Sequence, residues 1–245
     1  MRKIWVIPLA GVLVLAWAGA LRADDQAEAK AVVEKAIKAT GGAEKLAKYK
    51  AMTWKEKGTY YGMGNAQPYT GVYAVQWPDK FKMEIMDVFT IVINGDQGWI
   101  KLNGEVKEMT REQMTEQKEE RYAGSLAQLL PLQDKGYTLA AIGEDKVEGQ
   151  PAVGIKVSHQ GHRDVNLFFD KKSGLLVKSR YTVKPEELMG KEVSQEVVYG
   201  NYKEVEGLQQ PMKITIKRDG KQFVEADNSD MKLSETLPDA DFAKP

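Results

Sequence analysis

The stretch that most limits what this chain can become is Val165 to Val183, VNLFFDKKSGLLVKSRYTV. Val165, Leu167 and Phe169 alternate with Asn166 and Phe168. Beyond Gly174, the residues Leu175, Val177, Ser179, Tyr181 and Val183 alternate with Leu176, Lys178, Arg180 and Thr182. A period of two sends alternate side chains to opposite faces of a sheet, so the stretch reads as a β-hairpin. Asp170-Lys171-Lys172-Ser173-Gly174 supplies the turn, because Asp can bond its own backbone and Gly accepts positive φ. The same pattern recurs on both sides, which makes a long antiparallel sheet the main architecture.

Upstream, Met52, Trp54 and Tyr60 share a parity around Gly58, and Tyr73, Val75 and Trp77 form the next set. Phe81, Met83 and Ile85 alternate with Lys80, Lys82 and Glu84; Phe89, Ile91 and Ile93 alternate with Val88, Thr90 and Val92. Trp99 to Leu102 follow. Asn94-Gly95, Asn103-Gly104 and, further on, Asp219-Gly220 are two-residue hairpin turns. Downstream strands are read at Tyr137–Ala141, Val153–Val157, Val193–Tyr199, Met212–Ile216 and Phe223–Ala226. The count is about eleven strands in one curved antiparallel sheet, a mainly β (α+β) class. A sheet this long must curl to bury its face and manage its edges.

The upstream strands gather Met52, Trp54, Tyr60, Tyr73, Val75, Trp77, Phe81, Met83, Phe89, Ile91 and Trp99 as one aromatic, methionine-bearing face. Two readings stand. The face is packed core beneath helices, or it lines a cavity for an apolar guest to which methionine adapts.

Helices are expected in two places. Asp24 and Asp25 cap a run to about Lys38, with Ala29, Val32, Val33, Ala36 and Ile37 on one face; Gly41-Gly42 ends it, and Ala43 to Tyr49 forms a short second helix. Thr110 with Gln113 is a capping box that opens a helix to about Leu130, polar from Glu112 to Arg121. Its apolar end, Leu126, Leu129 and Leu130, is a candidate lid. The alternative is a plain connector with a solvated first half.

Residues 1–23 carry Arg2 and Lys3, an apolar run from Ile4 to Ala20, and small-x-small sites at Ala18-Gly19-Ala20 and Leu21-Arg22-Ala23. This is a secretory signal pattern, with cleavage after Ala20 or Ala23, and an uncleaved anchor is the alternative. Residues 24–245 then form one domain with 32 basic and 35 acidic residues, which offers no global charge for nucleic acid. There is no cysteine, so disulfides and thiolate chemistry are excluded. An exported, cysteine-free chain fits the periplasm.

Catalytic patterns are missing from the sequence. It holds no Gly-x-Ser-x-Gly elbow, no P-loop and no Gly-x-Gly-x-x-Gly. His159 and His162, the two histidines, straddle Gln160-Gly161, which reads as a solvent-exposed turn rather than a metal site. Glu119-Glu120 and Glu186-Glu187 read as solvated surface. No catalytic residue, metal or cofactor is expected.

Taken together, Leu167-Phe168-Phe169-Asp170, Ser173-Gly174-Leu175-Leu176-Val177-Lys178, Tyr202-Lys203-Glu204-Val205-Glu206-Gly207 and Pro211-Met212-Lys213-Ile214 resemble the outer-membrane lipoprotein-sorting (LolA/LolB-like) family. The resemblance spans roughly Lys30 to Phe242. It implies an unclosed half-barrel covered by N-terminal and mid-chain helices, whose apolar cavity holds a lipid or lipoprotein acyl chain without enzymatic chemistry. It makes the aromatic face a lining and Thr110 to Leu130 a lid; the protein is expected to be a monomer. The alternative use of the fold is a sensory module that contacts an envelope protein. The family's carriers use a cavity arginine near the first strands. No arginine lies between Arg22 and Arg111 here.

Overall fold

A computed structural model describes residues 23–245. The signal assigned to residues 1–23 therefore falls, apart from Ala23, outside the described residues. Two helices come first, α1 (Ala23–Thr40) and α2 (Ala43–Lys48). Six strands follow: β1 (Ala51–Tyr60), β2 (Gln67–Gln76), β3 (Lys80–Ile85), β4 (Phe89–Asn94), β5 (Gln97–Leu102) and β6 (Glu105–Glu108). Helix α3 (Arg111–Ser125) leads to seven more: β7 (Tyr137–Val147), β8 (Gln150–His159), β9 (Val165–Asp170), β10 (Leu176–Val183), β11 (Val193–Val205), β12 (Leu208–Arg218) and β13 (Lys221–Ser234).

The 13 strands form one antiparallel sheet in the order β6-β5-β4-β3-β2-β1-β13-β12-β11-β10-β9-β8-β7. Expectation put the number at about eleven. Strand β6 is one that alternation misses, because its sequence EVKE holds a single apolar residue.

The strand order explains the rest of the molecule. Each strand pairs with its neighbours in sequence except β6 with β7, and β13 returns to lie beside β1. One meander runs out to the edge strand β6, and a second begins at the opposite edge strand, β7. The link between them must cross from edge to edge. That link is α3 and the two 3-10 turns after it, Leu126–Gln128 and Leu130–Gln133. Both arms of the sheet contribute side chains beneath α3, so the sheet is curled and α3 spans its concave side.

Helix α3 begins with the expected capping box: the Gln113 amide donates to Thr110 Oγ1, and the Thr110 amide donates to Gln113 Oε1. It stops five residues short of the expected end, with the break marked by Leu129 at φ 63°. Pro131 disfavours helix at the residue before it, which accounts for the tighter turns there.

Apolar clusters on both faces hold the shell together. Over β7–β10, α1 buries Ala29, Val33, Ala36 and Ile37 against Leu139, Ile155, Val157, Val165, Leu167 and Phe169. These strand residues are 0–2 % exposed, and each is worth roughly 1.5–3 kcal/mol of burial. Over β2–β5, Met109 and Met114 close on Tyr73, Phe81, Ile91 and Ile93. On the outer face, the C-terminal tail seats Phe242 against Ala74, Val92 and Trp99. The Lys80 ammonium donates to Asp239 at 2.7 Å and ties that tail down.

Helix α1 ends against the β11–β12 turn. A Cβ on Gly41 would stand 2.4 Å from the Gly207 carbonyl oxygen, and Gly41 has φ +132°; only glycine fits there.

One parity differs from the sequence reading. After the turn, expectation grouped Leu175 and Val177 with Ser179 and Tyr181. A β-bulge between Leu176 and Lys178 adds a residue, so Leu176 joins the concave face instead, opposite Phe169.

Candidate ligand-binding cavity

A cavity of about 280 Å3 lies between the concave sheet face and the C-terminal part of α3. Its volume is near the lower end of the roughly 300–1,000 Å3 typical of small-molecule sites. Strands β1 and β2 present Met52, Trp54 and Val75, the next turn adds Trp77, and β3 adds Phe81. Trp54 stacks on Tyr73 with ring centroids 4.8 Å apart, which fixes its plane. The opposite wall comes from Leu176 and Tyr181 of β10, Val197, Tyr199 and Tyr202 of β11, and Ile214 of β12. Leu46 of α2 closes one end, and Arg121, Ala127 and Leu129 form the roof.

Of the candidate lining residues, Met52, Trp54, Val75, Trp77 and Phe81 therefore border the cavity. Tyr73, Met83, Phe89 and Ile91 share the same face but are covered by Met109 and Met114, in packed core. Tyr60 lies at the far end of β1, edge-on to Phe223 at 5.1 Å. Trp99 is a correction. It pairs with Val92 rather than with Ile91 and so points to the outer face, under the C-terminal tail. Its parity is set by the two-residue turn Gly95-Asp96, which a count of aromatics ignores. Of the lid leucines, Leu129 faces the cavity, Leu126 is fully buried in the core over β7–β10, and Leu130 packs against that core.

The second wall was missed at the sequence level. Its three tyrosines are amphipathic, and each hydroxyl has a partner that turns the ring toward the cavity. Gln195 Nε2 donates to Tyr181 Oη at 2.9 Å, Tyr199 shares a hydrogen bond with Ser179 at 3.0 Å, and the Tyr202 hydroxyl donates to the Leu176 carbonyl. Burial pushes the Tyr181, Tyr199 and Tyr202 phenols up, so all three stay neutral. The alternation Gln195, Val197, Tyr199 was the available signal, since it shares a face with Tyr181.

The roof is fastened at one end. Arg163 donates two hydrogen bonds to the Glu116 carboxylate, at 2.8 and 2.6 Å, and the Lys184 amide adds a third at 2.7 Å. Burial alone would raise the Glu116 carboxyl, but these donors and the charges of Arg163 and Lys184 hold it below the usual carboxylate range. Glu119 accepts from the Arg163 amide at 2.9 Å and meets His162 Nδ1 at 2.9 Å. The Tyr122 ring stacks on His162, centroids 3.9 Å apart, and Tyr137 stacks on His159 at 4.5 Å. The turn residues Gln160 and Gly161 are exposed, as expected, while the flanking His159 and His162 are half-buried. One expectation is overturned: Glu119 is a fastening side chain with 14 % of its surface exposed. Helix α3 folds down beside the turn, which local sequence does not show.

Comparison with known proteins agrees with this architecture. No family model and no curated protein matches the sequence. Solved structures do match. A LolA superfamily protein from Nitrosomonas europaea aligns with a TM-score of 0.56 at 14% identity, over 88% of this chain and 97% of its own. A DUF1329 family protein from Desulfovibrio piger aligns with a TM-score of 0.58 at 13% identity, with the same coverage. A domain named for outer membrane lipoprotein sorting, from Vibrio parahaemolyticus, aligns with a TM-score of 0.56 at 15% identity, again over 88% and 97%. The chain has the LolA-like fold.

Proposed function

We propose that this protein is an exported, non-enzymatic binder of a lipid or lipoprotein acyl chain. The observation that carries the reading is the cavity itself. A curled sheet faces an α3 roof across about 280 Å3 of space walled by Met52, Trp54, Trp77, Tyr181 and Tyr199. Methionine and aromatic rings suit a flexible apolar guest, because they give contact area without fixed polar demands. Each buried methylene of the guest contributes about 0.8 kcal/mol. The LolA-like fold, shared with a domain named for lipoprotein sorting, supports the same reading. We place the mature chain in the periplasm as a monomer.

The roof is suited to loading. It is pinned near Glu116 and Glu119, while its cavity end, Ala127 to Leu129, lies in 3-10 turns beyond the helix. Entry requires that end to lift, at a cost below the binding gain.

The test is titration of the purified mature chain with an environment-sensitive apolar probe, competed by fatty acid and by a lipidated peptide. Saturable, competable binding with a shift in tryptophan emission is expected. No binding by a well-folded chain overturns the reading and turns attention to a protein partner on the envelope.

A further inference from the structure

The roof of the cavity carries a charge that an acyl tail alone leaves unused. Arg121, in the C-terminal half of α3, lies on the cavity side with its guanidinium carbon 3.9 Å from the Phe81 ring centroid. Stacking on an aromatic ring holds the guanidinium plane and leaves its N–H edge free to meet an acceptor. The Arg121 Nε is buried and has no hydrogen-bond partner. Among the described residues no carboxylate forms an ion pair with Arg121. Arg163, by contrast, is engaged with Glu116 at 2.6 Å.

Two carboxylates also border the cavity, Asp79 in the exposed turn after Trp77 and Glu120 beside Arg121 in the chain, and Glu120 is itself partnered. Lys80, a donor only, is committed to Asp239 at 2.7 Å. A second unpartnered atom lies on the wall. Asn228 Oδ1 is buried without a donor, while its Nδ2 donates to the Pro211 carbonyl at 3.1 Å. Buried polar groups without partners are costly, and more so where water is excluded. A guanidinium is always charged and its fork matches two-oxygen anions.

We propose that the cavity selects an amphiphile with an anionic head group, a carboxylate or a phosphate, seated on Arg121, with its apolar tail along Trp54 and Trp77. This rests on the binding reading above and adds to it the chemistry of the head.

The experiment compares laurate, dodecyl phosphate and methyl laurate, which share a chain and differ in the head, as competitors of the bound apolar probe. The mature chain and the variants Arg121→Gln and Arg121→Lys are measured, each checked by thermal melting. The expected result is that the two anions displace the probe about 10- to 100-fold better than the ester, as charge-assisted hydrogen bonds imply. Arg121→Gln should remove that preference, weakening the two anions far more than the ester, and Arg121→Lys should keep part of it. The ratio of laurate to dodecyl phosphate then separates a fatty-acid head from a phospholipid-type head. Equal displacement by anion and ester overturns the inference and leaves the binding reading standing. An anion preference that survives Arg121→Gln also overturns it. If none of the three displaces the probe, the binding reading falls, and this inference with it.

Discussion

Two neighbouring regions of the concave face are built from the same kinds of residue and end in different states. Around β2–β4, Tyr73, Ile91 and Ile93 are sealed by Met109 and Met114. One strand away, Met52, Trp54 and Trp77 face open space shared with Tyr181 and Tyr199. Hydropathy does not separate them. What separates them is the path of the chain. The start of α3 lies directly on the first region, while its last turn bridges over the second. An apolar face becomes core where a later segment returns to it and becomes a cavity where that segment arches clear.

The comparison is sharpest at Ile93. Ile93→Ala in the sealed region should cost roughly 2–5 kcal/mol in urea unfolding, because neighbours there cannot collapse fully into the space left. Probe affinity should hold. A loss under about 1 kcal/mol would mean that this region, too, is loosely filled.

Next in size is the fastening of the roof. Arg163→Ala leaves the Glu116 carboxylate half-buried with only the Lys184 amide, and a cost of about 1–3 kcal/mol is expected. The α3 amides should exchange with solvent faster than those of β7–β10, as hydrogen exchange can read. Unchanged exchange would show that the Arg163–Glu116 pair does not hold the helix down.

Acid should act on the same point. Glu116 titrates lower in the folded chain than in the unfolded chain, so its contribution is full above the unfolded carboxylate range. That contribution is lost as pH falls through the folded value. Stability measured down through the acid range should drop less in Glu116→Gln than in the parent. Equal pH slopes would remove Glu116 as a source of acid sensitivity.

Smaller effects mark the open region. Val75→Ala should cost under about 1 kcal/mol, since the residue is half-buried and already borders space, yet it should alter probe affinity. Smallest of all, Trp99→Phe should leave the ligand-induced change in tryptophan emission intact, because Trp99 lies on the outer face. Trp54→Phe should diminish that change. A response carried by Trp99 would place the guest on the wrong side of the sheet.

Much of this molecule is written locally. Alternation of apolar and polar residues, with Asn-Gly, Asp-Gly and Gly-bearing turns between, is a property of residues close in sequence, and it marked nearly every strand. The capping box at Thr110 and the apolar stripe of α1 are local in the same way. They determined a long antiparallel sheet with two helical coverings. Met52, Trp54, Val75, Trp77 and Phe81 were legible as wall residues because they share one parity on adjacent strands.

What the sequence alone did not contain is which segments meet across the sheet. Tyr199 and Trp54 are far apart in the chain, and only the closure of β13 beside β1 brings them to one cavity. Trp99 changed face through a turn that shifts parity by one, and Leu176 through a bulge. Arg121 lies in a stretch that reads as polar surface until α3 is laid over Phe81. Periodicity records which side of an element is apolar. Whether that side is sealed, and by what, depends on long-range closure of the chain, which only the tertiary structure decides.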